Sequence, residues 1–105
     1  MVNIETFRRL ALSFPGVTEE PHFHLRSFRF KKKIFATYWE KEKRAMLKLP
    51  LAEQSVYCTL DSEIFFPVPG SWGAKGATFV DLKKVKAGLF KEAITIAYEN
   101  LQTKK

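Results

Sequence analysis

The sequence is poorest in the residues that act by coordination or nucleophilic attack. Its 105 residues include one cysteine, Cys58, and two histidines, His22 and His24. A lone cysteine excludes an intramolecular disulfide and any cysteine-based metal cluster. It is expected as a buried structural thiol, in keeping with a reducing cytoplasm. Alternation along a strand would put His22 and His24 on one face. Glu19 and Glu20 lie nearby, but two histidines without a convincing third ligand make a poor zinc site. No metal or cofactor is expected. Apolar runs are only a few residues long, too short to cross a bilayer. Charge within the first nine residues, with no long apolar region after it, does not fit a signal peptide.

Catalytic constellations are equally scarce. Ser27, Ser55, Cys58 and Ser71 have no base that their spacing brings to them, and an isolated hydroxyl or thiol is a poor catalyst. Asp61 with Glu63, or Asp81 alone, makes no motif. The stretch 70-GSWGAKG-76 lacks the GKS or GKT ending and the strand-to-helix context of a nucleotide-binding loop. The expectation is a protein that is not an enzyme.

What the chain has is apolar and basic. Hydrophobic residues make up 46% of it, with ten phenylalanines. That composition favours one folded domain over residues 1–105, burying roughly two thirds of its unfolded surface. Eighteen Lys and Arg against eleven Asp and Glu give a formal charge of +7. Such a balance steers a protein toward nucleic acid or another polyanion, or serves solubility alone.

Periodicity predicts the order α-β-β-β-α-β-α. Residues 3–14 read as a helix, with Asn3 as its cap, Phe7, Leu10, Ala11 and Phe14 on its apolar face, and Pro15-Gly16 as its stop. A polar link, 17-VTEEPHFH-24, leads to 25-LRSFRF-30, 34-IFATYW-39 and 44-RAMLKL-49, expected as an antiparallel meander turned by 31-KKK-33 and 40-EKEK-43. Residues 51–60 read as a second helix behind Pro50, buried through Ala52, Val56 and Leu60. A last strand at 78–82 precedes a helix from about residue 85, with its seam at Leu89, Ala93, Ile96, Ala97 and Leu101. Lys104 and Lys105 suit its carboxyl end. The fold class is α+β: a two-layer sandwich of a small antiparallel sheet with both terminal helices on one face.

Basic residues fall in groups along this scheme. Arg26, Lys31, Lys32 and Lys33 surround the first hairpin, and Arg44 and Lys48 share the polar face of the third strand. Lys83, Lys84, Lys86 and Lys91 form another series, and topology decides whether it joins the first. Phe28, Phe30, Tyr38 and Trp39 lie among these charges, and alternation sends most such rings to the core rather than to a stacked base. In 67-PVPGSWGAKG-76 the prolines restrict the chain and the glycines permit tight turns or close approach. Trp72 is expected to clamp the loop on the sheet, with ligand stacking as its other role, and Lys75 to face a phosphate.

The segments 15-PG-16, 34-IFA-36, 45-AMLKL-49 and 65-FFPVPGSWGAKGATFVDL-82 together resemble the MmcQ/YjbR family over nearly the whole chain. The motif positions that match are Pro15, Gly16, Phe35, Leu47, Pro67, Gly70, Trp72, Gly73, Lys75, Gly76 and Thr78. The resemblance implies a CyaY-like α+β domain in a family labelled DNA-binding, whose molecular role is not established, and it implies no catalytic residue. The chain departs from the common pattern at Ala77, where tryptophan is frequent, and at Phe23-His24, where a Trp-Gly-like pair is frequent. Non-catalytic binding of duplex DNA through Arg26, Lys31, Lys32, Lys33, Arg44, Lys48, Trp72 and Lys75 is the leading expectation. A small protein-interaction domain is the alternative, and a monomer the simplest assembly.

Overall fold

Asn3 starts the first helix as its sequence suggests. Its backbone is extended, and its side-chain oxygen accepts a 2.8 Å hydrogen bond from the Thr6 N–H, satisfying one of the donors a helix leaves open at its start. The computed structural model describes residues 1–23 and 25–103, so His24, Lys104 and Lys105 lie outside the described residues. The elements, in order, are α1 (Ile4–Ser13), β1 (Val17–His22), β2 (Leu25–Phe30), β3 (Lys33–Trp39), β4 (Arg44–Lys48), α2 (Leu51–Leu60), β5 (Phe65–Pro67), α3 (Ser71–Ala74), β6 (Ala77–Asp81) and α4 (Ala87–Thr103). No helix among the described residues is long and apolar enough to cross a membrane.

All six strands form one antiparallel sheet in the order β1-β2-β3-β4-β6-β5. The helices cover one side of it, making an α+β sandwich. Rings from each layer meet between them. Phe7 of α1 stacks on Phe28 of β2 at 5.1 Å, meets Phe90 of α4 at 5.2 Å, and lies edge-on to Tyr38 of β3. Tyr98 of α4 stacks on Phe14 and donates a 2.7 Å hydrogen bond to the Pro15 carbonyl. The end of α4 is thereby fixed to the stop of α1, 83 residues away in sequence. A register shift in the β2–β3 ladder at Phe28/Arg29 accompanies the burial of two successive residues, Phe35 and Ala36, in this same core. A bulge of this kind breaks strict alternation.

Two strands escape the sequence reading, and both are edges. The link at 17–24 contains β1, which pairs with β2 along its whole length. Its Pro21 and two glutamates hide the pattern, because an edge strand tolerates proline and charge that a central strand does not. Short β5 closes the other edge against β6. The single turn of α3 was also not anticipated. The expected buried face of α2 is wrong: Val56 and Leu60 are exposed, as is Ala52, and Gln54 with Tyr57 faces inward instead. The Tyr57 hydroxyl donates to the Glu92 carboxylate of α4; burial first, then that carboxylate, raises its pKa. Cys58 beside it is half-buried, and burial raises its thiol pKa.

Glu19 explains how β1 is held despite its polarity. Arg8 of α1 and Arg26 of β2 donate to its two carboxylate oxygens at 2.7 and 2.8 Å. Burial alone would raise its pKa, but the hydrogen bonds from Arg26 and Arg8, with their charges, outweigh it and leave the value lowered. A depressed carboxylate adds stability above its unfolded pKa and loses it as pH falls through the folded value. Both arginines are about half exposed, so Glu19→Gln should cost only about 0.5–1 kcal/mol at neutral pH. Urea midpoints taken from pH 7 downward should differ between the two proteins until the pH falls below the ordinary carboxyl value of 4.5, then converge.

Candidate nucleic-acid interface

Strand direction decides which charges meet. β2 runs toward the turn at Lys31 and Lys32, and β3 leaves from Lys33. Antiparallel β4 returns to end at Lys48, opposite Ala77, where β6 begins. Lys75 immediately precedes that strand. The sheet therefore carries Lys31, Lys32, Lys33, Lys48, Lys75 and the α3 residue Trp72 at one end. Among the described residues, Lys31, Lys32, Lys33 and Lys75 form no ion pair. Lys31 and Lys32 both have left-handed backbones, φ 51° and 69°. A two-residue hairpin turn of this hand favours Asn-Gly, so lysine at both positions is a costly choice.

The other two arginines of the expected site lie elsewhere. Arg26 sits toward the far end of the sheet and is tied to Glu19. There it lines a groove of about 560 Å³ whose wall also includes Glu19, Glu20 and Glu40, a surface of both signs. Arg44 begins β4 at the same far end, opposite Asp81. Lys83 and Lys84 follow β6, again at the far end, with Lys84 3.7 Å from Glu63, and Lys86 precedes α4. This series does not extend the lysine end. His22 closes β1 and packs edge-on to Phe23.

The loop that presents Lys75 is held by backbone proximity. A Cβ on Gly73 would lie 1.8 Å from the Val68 carbonyl oxygen, and one on Gly76 would lie 2.0 Å from that of Leu49. Gly76 also has φ +112°, a conformation side chains resist. Gln54 completes the anchor from α2, its side-chain amide donating to the carbonyls of Gly73 at 2.9 Å and Ala77 at 3.1 Å. Trp72 does not clamp the loop as expected: it is 66% exposed. Gly73 occupies the tight contact, and its neighbour in the one-turn helix is left facing solvent. Gln54 was missed because it lies outside any apolar pattern; its signal is its placement three residues before buried Tyr57.

The sheet's uncovered face carries a second, smaller apolar cluster. Met46, Ala77 and Phe79 are buried there, with Ile34, Trp39, Phe66 and Val68 packed around them. Ser27 and Thr37 are also buried, and the Trp39 indole donates to the Thr37 hydroxyl at 2.9 Å.

An α+β sandwich with one helix-covered sheet face and a glycine-anchored basic loop is the class that fold and site define. Residues 12–100 match the family model of YjbR, and the chain belongs to the YjbR family. It is also similar to the crystal structure of Deinococcus radiodurans protein DR2400, family-model domain DUF419. That likeness has a TM-score of 0.86 at 18% identity, over 99% of this chain and 81% of the other. It establishes a shared fold. Among curated proteins none matches the sequence.

Glycine substitutions separate the anchored loop from an ordinary helix. Gly73→Ala and Gly76→Ala should each destabilise the protein by at least ~3 kcal/mol, since backbone must move. Gly88→Ala, where no atom lies within 4 Å of the added methyl, should instead add about 0.5–1 kcal/mol in the first turn of α4. Chemical denaturation of the three variants beside the parent checks both signs.

Proposed function

We propose that this protein is a non-catalytic, cytoplasmic DNA-binding protein that meets duplex phosphates with the lysine end of its sheet. The observation carrying this reading is the hairpin turn. Lys31 and Lys32 occupy left-handed positions, make no ion pair among the described residues, and are followed by Lys33. Strain retained at an exposed turn points to a role for the side chains themselves. Lys48 and Lys75, brought to the same end by antiparallel pairing, extend the charge across the sheet. Lysines on a turn and a glycine-rich loop suit backbone contact, which positions a duplex without reading its bases. Arg26 is outside this surface, because it lies toward the far end of the sheet and is tied to Glu19.

Replacing Lys31-Lys32 by Asn-Gly tests the reading with two opposed signs. The turn should become more stable by roughly 1 kcal/mol or more in total, while duplex binding weakens. The slope of log affinity against log salt should fall by about 0.9 for each phosphate that the variant no longer neutralises. Fluorescence anisotropy on a labelled duplex, with urea unfolding in parallel, gives both. Unchanged binding by a stabilised variant would remove these lysines from the interface.

Protein association is a second reading, favoured by the large apolar side chains that α2 and α3 leave exposed. Trp72 is 66% exposed, and on α2 Leu51, Val56 and Leu60 are 56%, 59% and 63% exposed. Gln54 ties α2 to the residue next to Trp72. A partner complex insensitive to salt and broken by Trp72→Ala would replace phosphate binding as the explanation.

A further inference from the structure

The uncovered face of the sheet is charged in one direction and carries an arginine held in an unusual way. Alternation along β4 places Arg44 and Lys48 on this face on either side of Met46, and Arg29 of β2 lies on the same side, its guanidinium bonded to the Ser27 hydroxyl at 3.0 Å. Among the described strand residues of this face, the acidic ones stand at the margins. Glu20 is on edge strand β1, where Thr18 donates to it, and Asp81 ends β6, its carboxylate accepting the Lys83 N–H at 2.9 Å. Although Asp81 is opposite Arg44 in register, no ion pair forms between them.

The Arg44 guanidinium lies 4.0 Å above the centre of the Phe79 ring and 5.4 Å from that of Trp39. Its Nε is buried and has no hydrogen-bond partner among the described residues. A buried unpaired donor is unfavourable by itself, yet Arg44 is kept in an otherwise apolar cluster. The two aromatic rings hold the cation against the sheet and reduce its hydration. A flat guanidinium beside a half-exposed indole offers stacking to a planar ring and charge to a neighbouring phosphate.

We infer that this face binds single-stranded nucleic acid, with Arg44 and Trp39 as a stacking pair and Lys48 and Arg29 as phosphate contacts. A duplex keeps its bases paired inside and presents no ring to stack, whereas a single strand offers every base face. Positive charge on β2 and β4 matches a strand laid across the sheet. The inference shares the nucleic-acid reading above but assigns a different surface and a different form of the polymer. Lys48, at the lysine end of this face, belongs to both.

The test uses the full chain with Trp72→Phe, which leaves Trp39 as the single tryptophan of two. Titration with an oligothymidylate of about 12 nucleotides at low salt should quench Trp39 emission saturably, while a blunt duplex of equal length should leave it unchanged. In that background Arg44→Met should weaken oligothymidylate binding tenfold or more. Arg44→Lys, which keeps the charge but not the plane, should weaken it at least fivefold and guards against a folding failure of the first variant. Unaltered Trp39 emission with the oligothymidylate, or full affinity in a folded Arg44 variant, overturns the inference. Duplex binding by anisotropy without Trp39 quenching by the oligothymidylate would overturn it alone and leave the lysine end standing; absence of both kinds of binding would remove both.

Discussion

The packing of Phe7 against β2, β3 and α4 at once is the constraint on which the rest of the structure depends. It brings a ring of α1 against Phe28, Tyr38 and Phe90, so the first helix, the centre of the sheet and the last helix meet at one side chain. Burying aromatic area on this scale supplies much of the driving force for a chain of this size. It also determines which sheet face the helices cover. Once α1 and α4 occupy that side, the opposite face must satisfy its own apolar residues. It does so with the small cluster around Met46 and Phe79, roofed by long side chains rather than by a helix.

The same constraint positions the lysine end. With α4 docked through Phe90 and Ala97, Tyr98 reaches Pro15 and Asn100 bonds the Lys48 carbonyl at 3.3 Å. The exit of β4 is thus held from the helix side while Gly76 and Gln54 hold it from the loop side. A rigid framework under exposed charges matters because long lysines are individually mobile. What the fold can fix is the spacing of their backbones, and strand pairing fixes that well. On the reading proposed above, a surface so arranged suits a regular array of phosphates better than the selection of one base.

Much of this architecture was legible in the chain. Asn3, the Phe7-Ala11 spacing and the Pro15-Gly16 stop define α1, and the alternation of Ala45, Leu47 and Leu49 gives the buried side of β4 and its exit. The illegible parts share a physical cause, since each is stabilised by something other than its own apolar pattern. β1 is held by ladder hydrogen bonds and by Glu19 between two arginines. β5 is too short to show a period, and α2 docks through the amide of Gln54 and the ring of Tyr57 while its row of aliphatic residues faces outward. At the site, the run Lys31-Lys32-Lys33 was readable, but its meeting with Lys48 and Lys75 and its separation from Arg26 and Arg44 were not. Residues 26 and 31 are close in sequence, yet an extended strand carries them toward opposite ends of the sheet.

Tryptophan shows why the type of a residue says less than its neighbours. Trp72 lies in the most glycine-rich stretch of the chain, and burial of so large a ring was the natural expectation. The close approach of Gly73 to Val68 leaves no space at that junction, so the ring is turned to solvent. Trp39, read as one more strand aromatic, became half-buried beside Phe79 and Arg44 on the face without helices. The difference follows from strand parity. Tyr38 enters the aromatic core and Trp39, one residue on, must point away from it. On β4 the same parity gives Ala45 and Leu47 to the core and leaves Arg44, Met46 and Lys48 on the other side. One five-residue strand therefore contributes to the hydrophobic core, to the roofed outer cluster and to the charged end of the sheet. A change at Arg44 alters the covering of Phe79 as well as the charge of this face. Packing and surface charge are consequently coupled at that end of β4.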